Sequence, residues 1–330
     1  MGHRTLSIGG ATYDLFVRLP KGAVAECNSA DSFALPLGAK IRVENLIETC
    51  GGGASNTSVG LARLGCSACY EGVLSADQWG EKLMQNLQKE GVDTSCVTVV
   101  EDEVSSYSII LSGKSGERVI LYEPGTNKHL HDANFDKEML SSVDWVFLNH
   151  IQEGSCVIQD DIAEMLSSEG APCLTWNPGG CQIDAGLQAH AELLKHTDLL
   201  ILNKEEALKF TKTEEVDAAI RALIQSGVAN ICITDGGNET VASDGTNIYA
   251  CPVLENIDIV DTTGAGDAFG TGVTWGLMEG LILPEALKTG SINAASVVAS
   301  IGAQTALLTD IEIRLRLTEC SLDVSSYPLL

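Results

Sequence analysis

The sequence predicts an α/β fold: a doubly wound, mostly parallel sheet with helices on both faces, plus a small antiparallel β lid. Three observations predict it. Short apolar runs typical of strands alternate with helix-like stretches along most of the 330 residues. Two segments contain strand-like runs with no helix between them. Glycine-rich turns stand where a strand-like run leads into a helix, at two distant points of the chain.

The alternating runs define a larger domain, which we assign to residues 1–12, 51–96 and 125–330. Its strand-like runs include "TLSIGG", "VDWVFLN", "DLLILN" and "ANICITDGG". Because a helix-like stretch separates successive strands, the strands are expected to run parallel, and ligands then bind beyond their carboxyl ends. The last segment, "CSLDVSSYPLL", is expected to be a terminal extension.

The lid is assigned to residues 13–50 and 97–124. Its strand-like runs are "YDLFVRLP", "AKIRVENLIETC", "SSYSIILSG" and "ERVILYE", and "KSGE" is expected to join the last two as a hairpin. Beside the ligand edge such a sheet would act as a lid, and its uncovered edge favours a homodimer through the lid strands. A simple extension of the main sheet is the alternative.

Composition excludes some partners. The formal charge of −25, from 20 Lys and Arg against 45 acids, argues against binding of nucleic acid, which needs a cationic surface. No apolar run reaches membrane-spanning length, and no secretory signal is recognisable at the N-terminus. The eleven cysteines lie in apolar segments, which indicates reduced thiols. We therefore expect a cytoplasmic protein with no nucleic acid or membrane partner.

The segment "GAGDAFGTG" combines a bare glycine turn with a helix start and an acid. Backbone N–H groups of Gly264, Ala265 and Gly266 would face an anion, aided by the positive end of the helix dipole. Asp267 stands in the first turn, where a carboxylate either stabilises the dipole or accepts a proton from a hydroxyl. The turn has neither the Lys-Ser/Thr of a phosphate-binding loop nor a complete dinucleotide fingerprint, so the residues alone leave both roles open.

Beyond this turn, the sequence resembles the ribokinase-like (PfkB) family of sugar and nucleoside kinases along nearly its whole length. "DTTGAGDAFGTGV" resembles the C-terminal signature of that family, and "GGGASNTSVGLARLG" at 51–65 resembles the N-terminal one. Further resemblances are "SIGGATYDL", "GERVILYEPGTN", "LNKEEA" and "ITDGGNE". The resemblance implies a ribokinase-like fold and an ATP- and Mg²⁺-dependent enzyme, a phosphotransferase with an alcohol group as acceptor.

The resemblance implies a role for each motif residue. Asp267 is implied as the general base, with the amides of Gly264, Ala265 and Gly266 as the anion hole. The nucleotide-side residues implied are Asn203, Thr234, Gly236 and Asn293 for ATP and Glu206 for Mg²⁺, directly or through water. Asn203 and Glu206 also fit a helix capping box, and Ser291 is the alternative to Asn293 as the adenine contact.

On the substrate side, the resemblance implies that Asp14 and Asn56 bind acceptor hydroxyls while Gly52 and Gly53 admit the ring. The alternative, purely structural roles are a solvated acid at a strand end for Asp14 and a helix N-cap for Asn56. Many members of the family hold K⁺, for which Asp261 and Thr263, with the turn "SIGAQTA", would supply oxygens here.

Departures from the family pattern restrict the acceptor. Gly53 replaces the lysine usual in ribokinases proper, and Glu239 stands where the family often has glycine. Lys40, Arg42 and Arg118 are the obvious candidates for cations that line the lid, and nothing basic stands near the N-terminal signature, which disfavours a phosphorylated sugar. We therefore expect phosphorylation of a hydroxyl, a primary CH₂OH, on an unphosphorylated sugar or nucleoside. The alternatives are an adenosine-type nucleoside kinase, a sugar-phosphate kinase and, from another class, a catalytically silent sugar-binding regulator.

Overall fold

The structure is a computed structural model that describes residues 2–20, 25–26, 33–112, 118–130, 137–151 and 156–329. The strands are β1 Arg4–Ile8, β2 Thr12–Arg18, β3 Ala25–Glu26, β4 Phe33–Ala34, β5 Asn45–Gly51, β6 Ser67–Ser75, β7 Val97–Val100, β8 Tyr107–Ser112, β9 Arg118–Glu123, β10 Trp145–Leu148, β11 Cys173–Trp176, β12 Leu199–Asn203, β13 Asn230–Thr234, β14 Thr240–Ser243, β15 Asn247–Cys251 and β16 Ser325–Pro328. The α-helices are α1 Gly53–Arg63, α2 Gln78–Lys89, α3 Lys137–Ser142, α4 Cys156–Leu166, α5 Gly180–Ala185, α6 Ala191–Lys195, α7 Lys204–Thr211, α8 Val216–Gln225, α9 Ala265–Met278, α10 Leu283–Val298 and α11 Asp310–Glu319.

Ten strands form the large sheet, in the order β16-β15-β14-β13-β12-β11-β10-β1-β6-β7. The ladders from β13 to β7 are parallel, and β14, β15 and β16 extend that sheet as antiparallel strands. Parallel pairing follows from the helices between successive strands, because each crossover returns the chain to the same edge. The carboxyl ends of seven strands therefore lie along one edge.

The buried residues form an apolar layer on each face of the large sheet. Along β10, Val146 and Leu148 belong to the layer that includes residues of α4 to α8, whereas Phe147 belongs to the layer under α1, α9 and α10. Successive side chains of a strand point to opposite faces, so this alternation is that of a sheet covered on both sides. The predicted doubly wound architecture is confirmed.

The small sheet has four strands in the order β5-β2-β8-β9. β2 and β5 pair antiparallel, as do β8 and β9, while the central ladder between β2 and β8 is parallel. The antiparallel pairing of β8 and β9 agrees with the predicted hairpin, although the turn "KSGE" lies outside the described residues. We call this four-stranded sheet the lid sheet.

Two sequence expectations about elements were wrong. The lid segment was expected to begin at residue 97, but Val97–Val100 pairs in parallel with β6 as an edge strand of the large sheet. The C-terminal segment was expected to be an extension, but Ser325–Pro328 pairs with β15. Both strands have four residues, and a pattern that short does not reveal which sheet it joins. Among the described residues, no helix combines the length and apolar character that a membrane span requires.

Candidate active site

The N-terminus of α1 lies at the carboxyl edge of the large sheet, beside the ends of β1 and β10. The N–H of Asn149, directly after β10, donates to the carbonyl of Ile8 at 2.9 Å, and the N–H of Ser55 donates to the carbonyl of Gly10 at 3.4 Å. The first glycine-rich segment is therefore at the edge where ligands bind in folds of this type.

Gly52 shows why this segment consists of glycines. Its φ of 91° lies in the left-handed region, and a Cβ there would come within 2.6 Å of the Ala11 Cα and 2.7 Å of the Gly10 carbonyl oxygen. At Gly53, a Cβ would lie 3.1 Å from Oδ1 of Asn149, an amide oxygen that is buried without a hydrogen-bond partner among the described residues. Side chains larger than hydrogen would fill the space next to α1.

The second glycine-rich turn starts helix α9. Gly264 has a φ of 77° and a Cβ on it would overlap Ala303, so glycine is required on two counts. The N–H of Ala265 donates within the turn, to the carbonyl of Thr262 at 3.3 Å. The N–H groups of Gly266 and Asp267 are in the first helical turn, where no intrahelical acceptor exists, and Gly266 faces open space. These two amides are the better placed donors for an anion.

A direct hydrogen bond joins the two glycine-rich segments. Nδ2 of Asn56, in α1, donates to Oδ2 of Asp267 at 2.7 Å, although the residues are 211 positions apart. Burial raises the pKa of Asp267 to about 6, and the bond from Asn56 opposes that rise. The carboxylate is partly buried and titrates close to neutral pH, which suits a group that accepts protons.

Gln304 fixes the other end of the Asn56 amide. Its Nε2 donates to Oδ1 of Asn56 at 3.1 Å and to Oγ of Ser55 at 2.9 Å, while its Oε1 accepts from Nδ2 of Asn86 at 2.8 Å. Because Oδ1 of Asn56 already accepts a hydrogen bond, a flip of the amide would break the contacts at both ends. Gln304 thereby keeps the Asn56 NH₂ group directed at Asp267.

Asp14 lies on β2 of the lid sheet and is only 6% exposed. Its Oδ1 accepts a hydrogen bond from Oγ of Ser108, and the neighbouring Gly51 leaves no room for a Cβ beside Oδ2. Burial raises the pKa of Asp14 to about 6; the Ser108 bond lowers it, and the charge of Asp261 raises it. The electrostatic influence of Asp261 indicates that this acid and the second glycine-rich turn are near each other.

Asp261 and Thr263 belong to one hydrogen-bonded turn. Oδ1 of Asp261 accepts from the Thr263 N–H at 3.2 Å and from the Thr263 Oγ1 at 2.8 Å, and Oδ2 accepts from the Gly302 N–H at 3.3 Å. Nη1 of Arg118, on β9, donates to the same Oδ1 at 2.5 Å. Protein donors therefore surround the carboxylate for which a monovalent cation was expected.

Asn203 and Glu206 form a capping box at the start of α7. The Glu206 N–H donates to Oδ1 of Asn203 at 2.9 Å, and the Asn203 N–H donates to Oε2 of Glu206 at 2.8 Å. Burial raises the pKa of Glu206. Asn203 lies opposite Thr234 in the ladder of β12 and β13, and Gly236 follows with a φ of 57° in open space. Four of the five expected nucleotide-side residues thus lie together at the carboxyl edge, and the capping role of Asn203 and Glu206 is confirmed.

Asn293 does not fit the expected nucleotide contact. It is fully buried, its Nδ2 donates to the Ala268 carbonyl at 2.8 Å, and its Oδ1 accepts from the Leu308 N–H at 3.2 Å. Both ends of the amide thus hold α9 and the 308 region against α10, so a base cannot reach them without breaking these bonds. Ser291, the alternative, is partly exposed and has Sγ of Cys251 at 3.5 Å from its Oγ.

Ser108 and Gln304 were not predicted as site residues. Each contacts an expected site residue, Asp14 or Asn56, from a distant part of the chain. A single serine in a strand and a glutamine after a glycine turn carry no pattern of their own. Only the strand pairing and the packing of the 300–305 turn bring them to the site.

Comparison with known proteins identifies carbohydrate and nucleoside kinases as relatives. The family model described as pfkB family carbohydrate kinase matches residues 23–310. A protein described as an uncharacterized sugar kinase of Archaeoglobus fulgidus is 27% identical over 254 residues, which cover 76% of this chain and 98% of that protein. The ribokinase of Haemophilus influenzae is 27% identical over 267 residues, covering 78% and 84%. Other relatives are named nucleoside kinase and ATP-dependent ribose-1-phosphate kinase.

Solved structures share the fold along the whole chain. The Arabidopsis thaliana ribokinase complexed with ribose and ATP has a TM-score of 0.79 at 21% identity, covering 97% of this chain and 100% of that chain. At this level of identity the likeness concerns the fold alone.

Proposed function

The chain belongs to the pfkB family of carbohydrate kinases, and from that premise we propose that it transfers the γ-phosphoryl group of ATP to a primary hydroxyl of an unphosphorylated sugar or nucleoside. Its relatives are ribokinases, nucleoside kinases and other sugar kinases, so the chain is a kinase of this class. The observation that carries the proposed chemistry is the 2.7 Å hydrogen bond between Asn56 and Asp267, which unites both signatures in one site.

Asp267 is proposed as the general base that accepts the proton of the attacking hydroxyl. Its pKa of about 6 leaves it ionised at neutral pH, yet it remains basic enough to take a proton during transfer. The N–H groups at the start of α9 would stabilise the charge on the phosphoryl oxygens, as the helix dipole does. Gly266 supports this role best, whereas the N–H of Ala265 already has a weak acceptor.

The acceptor is proposed to lie between the lid sheet and α1. Asp14 would accept hydrogen bonds from acceptor hydroxyls at Oδ2, which has two lone pairs and accepts no bond within the described residues, whereas Oδ1 already accepts from Ser108. Asn56 would offer the second hydrogen of its NH₂ group, and the bare backbone at Gly52 and Gly53 leaves space for the ring.

ATP is proposed to bind across the ends of β12 and β13, with Asn203, Thr234 and Gly236 near its phosphates. Among the described residues there is no cluster of three or more carboxylate, histidine or cysteine side chains that would hold a metal ion by itself. Glu206 supplies one carboxylate near the proposed phosphate positions. A single carboxylate fits Mg²⁺, which keeps several waters and is otherwise bound by phosphate oxygens. When bound, Mg²⁺ would neutralise charge on the transferring phosphoryl group.

The residues do not fit K⁺ equally well. Thr263 and Gly302 donate hydrogen bonds to the Asp261 carboxylate, and the Arg118 guanidinium donates to the same carboxylate, so both of its oxygens already accept hydrogen bonds from the protein. The proposed reaction therefore involves no monovalent cation.

A phosphorylated sugar is the alternative acceptor, because one relative is named ATP-dependent ribose-1-phosphate kinase. Against it, Lys40 and Arg42 are exposed on the lid segment, and Arg118 is paired with Asp261. A phosphate monoester needs a free cation at the site, so the charge distribution favours an unphosphorylated acceptor.

We also propose that two copies pair through their lid sheets. The outer strands β5 and β9 expose large apolar side chains, among them Leu46 at 52%, Leu121 at 52% and Tyr122 at 50%. Light scattering coupled to size exclusion should give a dimer mass that Leu121→Glu reduces to that of a monomer. The nine cysteines whose state the structure describes are free thiols, which supports a reducing compartment such as the cytoplasm.

The test is a panel of sugars, nucleosides and sugar phosphates assayed for acceptor-dependent release of ADP, with Asp267→Asn run in parallel. We expect release with an unphosphorylated acceptor for the wild type and none above background for the variant. If acceptors bind but never stimulate ADP release, the silent regulator is the correct assignment. If sugar phosphates alone are turned over, the alternative acceptor class is correct.

A further inference from the structure

Arg118 connects the lid sheet to the turn that precedes the anion-binding helix. It is the first residue of β9, and its Nη1 donates to Oδ1 of Asp261 at 2.5 Å while Nη2 donates to Oγ1 of Thr262 at 3.0 Å. Arginine and acid are 143 positions apart in the chain. The guanidinium side chain is 34% exposed, whereas the Asp261 side chain is 7% exposed. A cation on the lid sheet thus reaches a nearly buried carboxylate of the turn before α9.

The carboxylate of Asp261 has two reasons to need a positive partner. A buried ionised acid without a cation is costly. In addition, Asp14 lies near enough for the charge of Asp261 to influence its titration, so the site contains two buried acids. Within the described residues, Arg118 is the cation that pairs with Asp261.

We propose that Arg118 takes the place of a monovalent cation at Asp261 and is a positioning residue that holds the 261–264 turn when the lid sheet is closed. Both guanidinium contacts are to residues of that turn, three or fewer positions before Gly264. K⁺ coordinates oxygen lone pairs, and on Oδ1 these face the Thr263 donors and the guanidinium. The reaction would then need no K⁺, and lid closure would complete the anion-binding turn. For its catalytic consequence, this inference rests on the proposed kinase activity.

The experiment compares the wild type with Arg118→Met, which keeps side-chain volume and removes the charge. The control is Arg18→Met, which removes an exposed arginine of the same sheet whose nearest acid, Glu44, is at 3.8 Å. For each protein, the midpoint of thermal unfolding without substrates and kcat with them are measured in KCl and in tetramethylammonium chloride at equal ionic strength. Tetramethylammonium is too bulky for a site of K⁺ size.

We expect equal unfolding midpoints and equal kcat in both salts for the wild type and for Arg18→Met. Arg118→Met should lose kcat about tenfold in tetramethylammonium, regain part of it in KCl, and unfold at a higher temperature in KCl. Arg118→Gln, which retains donors, serves the same comparison if the methionine variant does not fold. A K⁺ response of the wild type, no K⁺ response of the Arg118 variant, or an equal response of Arg18→Met would overturn the proposal. The thermal measurement requires no turnover, so its result stands even if the kinase assignment fails.

Discussion

The acceptor side and the nucleotide side of the site are built differently. On the acceptor side, the Asn56 amide bonds to both Asp267 and Gln304, which are 211 and 248 positions away in the chain, and Asn56 and Gln304 are at most 6% exposed. On the nucleotide side, the side-chain hydrogen bonds that the described residues show for Asn203 and Glu206 are to each other's backbone N–H, three positions apart, and Asn203 is exposed.

This difference indicates where the protein itself supplies preorganisation. The proton acceptor must be oriented before the reaction, and tertiary contacts to buried groups hold it without any ligand. The nucleotide side is open, and its order is expected to come from ATP and Mg²⁺. Substitutions on the acceptor side should therefore affect the chemical step, and substitutions on the nucleotide side should affect the affinity for MgATP.

The largest effect is expected for Asp267→Asn. Loss of the base should lower kcat about 10³-fold while the dissociation constant for ATP stays within about threefold. Stopped-flow or coupled assays measure the first quantity and calorimetry the second. A loss of ATP affinity comparable to the loss of kcat would erase the difference between the two sides.

The same variant should be at least as stable as the wild type at pH 8. The folded-state pKa of Asp267 is raised to about 6, so the acid contributes stability below its ordinary pKa that is lost as pH rises through 6. Removing the ionised buried charge at pH 8 should then stabilise by on the order of 1–2 kcal/mol. A lower unfolding midpoint at pH 8 would show that the carboxylate has a structural role instead.

The next effect is that of Asn56→Ala, expected to lower kcat/KM about 10- to 100-fold. Because the Asn56 bond lowers the pKa of Asp267, its removal should raise that pKa and move the acid limb of the pH–rate profile to higher pH. An unshifted limb, at whatever activity remains, would mean that Asn56 contacts only the acceptor.

Gln304→Met should have a smaller effect in the same direction. Without its donor to Oδ1, the Asn56 amide is free to rotate away from Asp267. We expect kcat to fall about threefold to tenfold with a partial shift of the acid limb. Asn86→Ala, which removes only the neighbour of Gln304, is the matched control and should leave the limb in place.

The smallest effect on turnover is expected for Glu206→Gln. Glutamine also forms capping boxes, so the helix start and the unfolding midpoint should be unchanged. The loss of charge should raise the KM for MgATP about threefold to tenfold with kcat nearly constant. An unchanged KM would leave Glu206 with its capping role alone.

Two kinds of feature could be predicted from the sequence: elements with a repeating apolar pattern and turns that require glycine. Alternating apolar runs predicted the doubly wound sheet, and the glycines at 52 and 264 marked turns that the structure shows to exclude a Cβ. Prediction from the sequence failed for the pairing of short strands, such as β7, and for side chains whose role depends on their burial. Asn293 matched a motif position, but its amide is hydrogen-bonded within the interior; Gln304 had no predicted role of its own, yet it orients Asn56.

The most direct test of the central claim is the pH dependence of kcat/KM for the acceptor in Asp14→Asn, at saturating MgATP. Both acids have a pKa of about 6, so the wild-type limb should reflect two ionisations and the variant limb only one, that of Asp267. The account predicts that log kcat/KM of the variant rises with unit slope to a midpoint near pH 6 and then levels. A profile that is flat between pH 5 and 8 would contradict the assignment of Asp267 as the base.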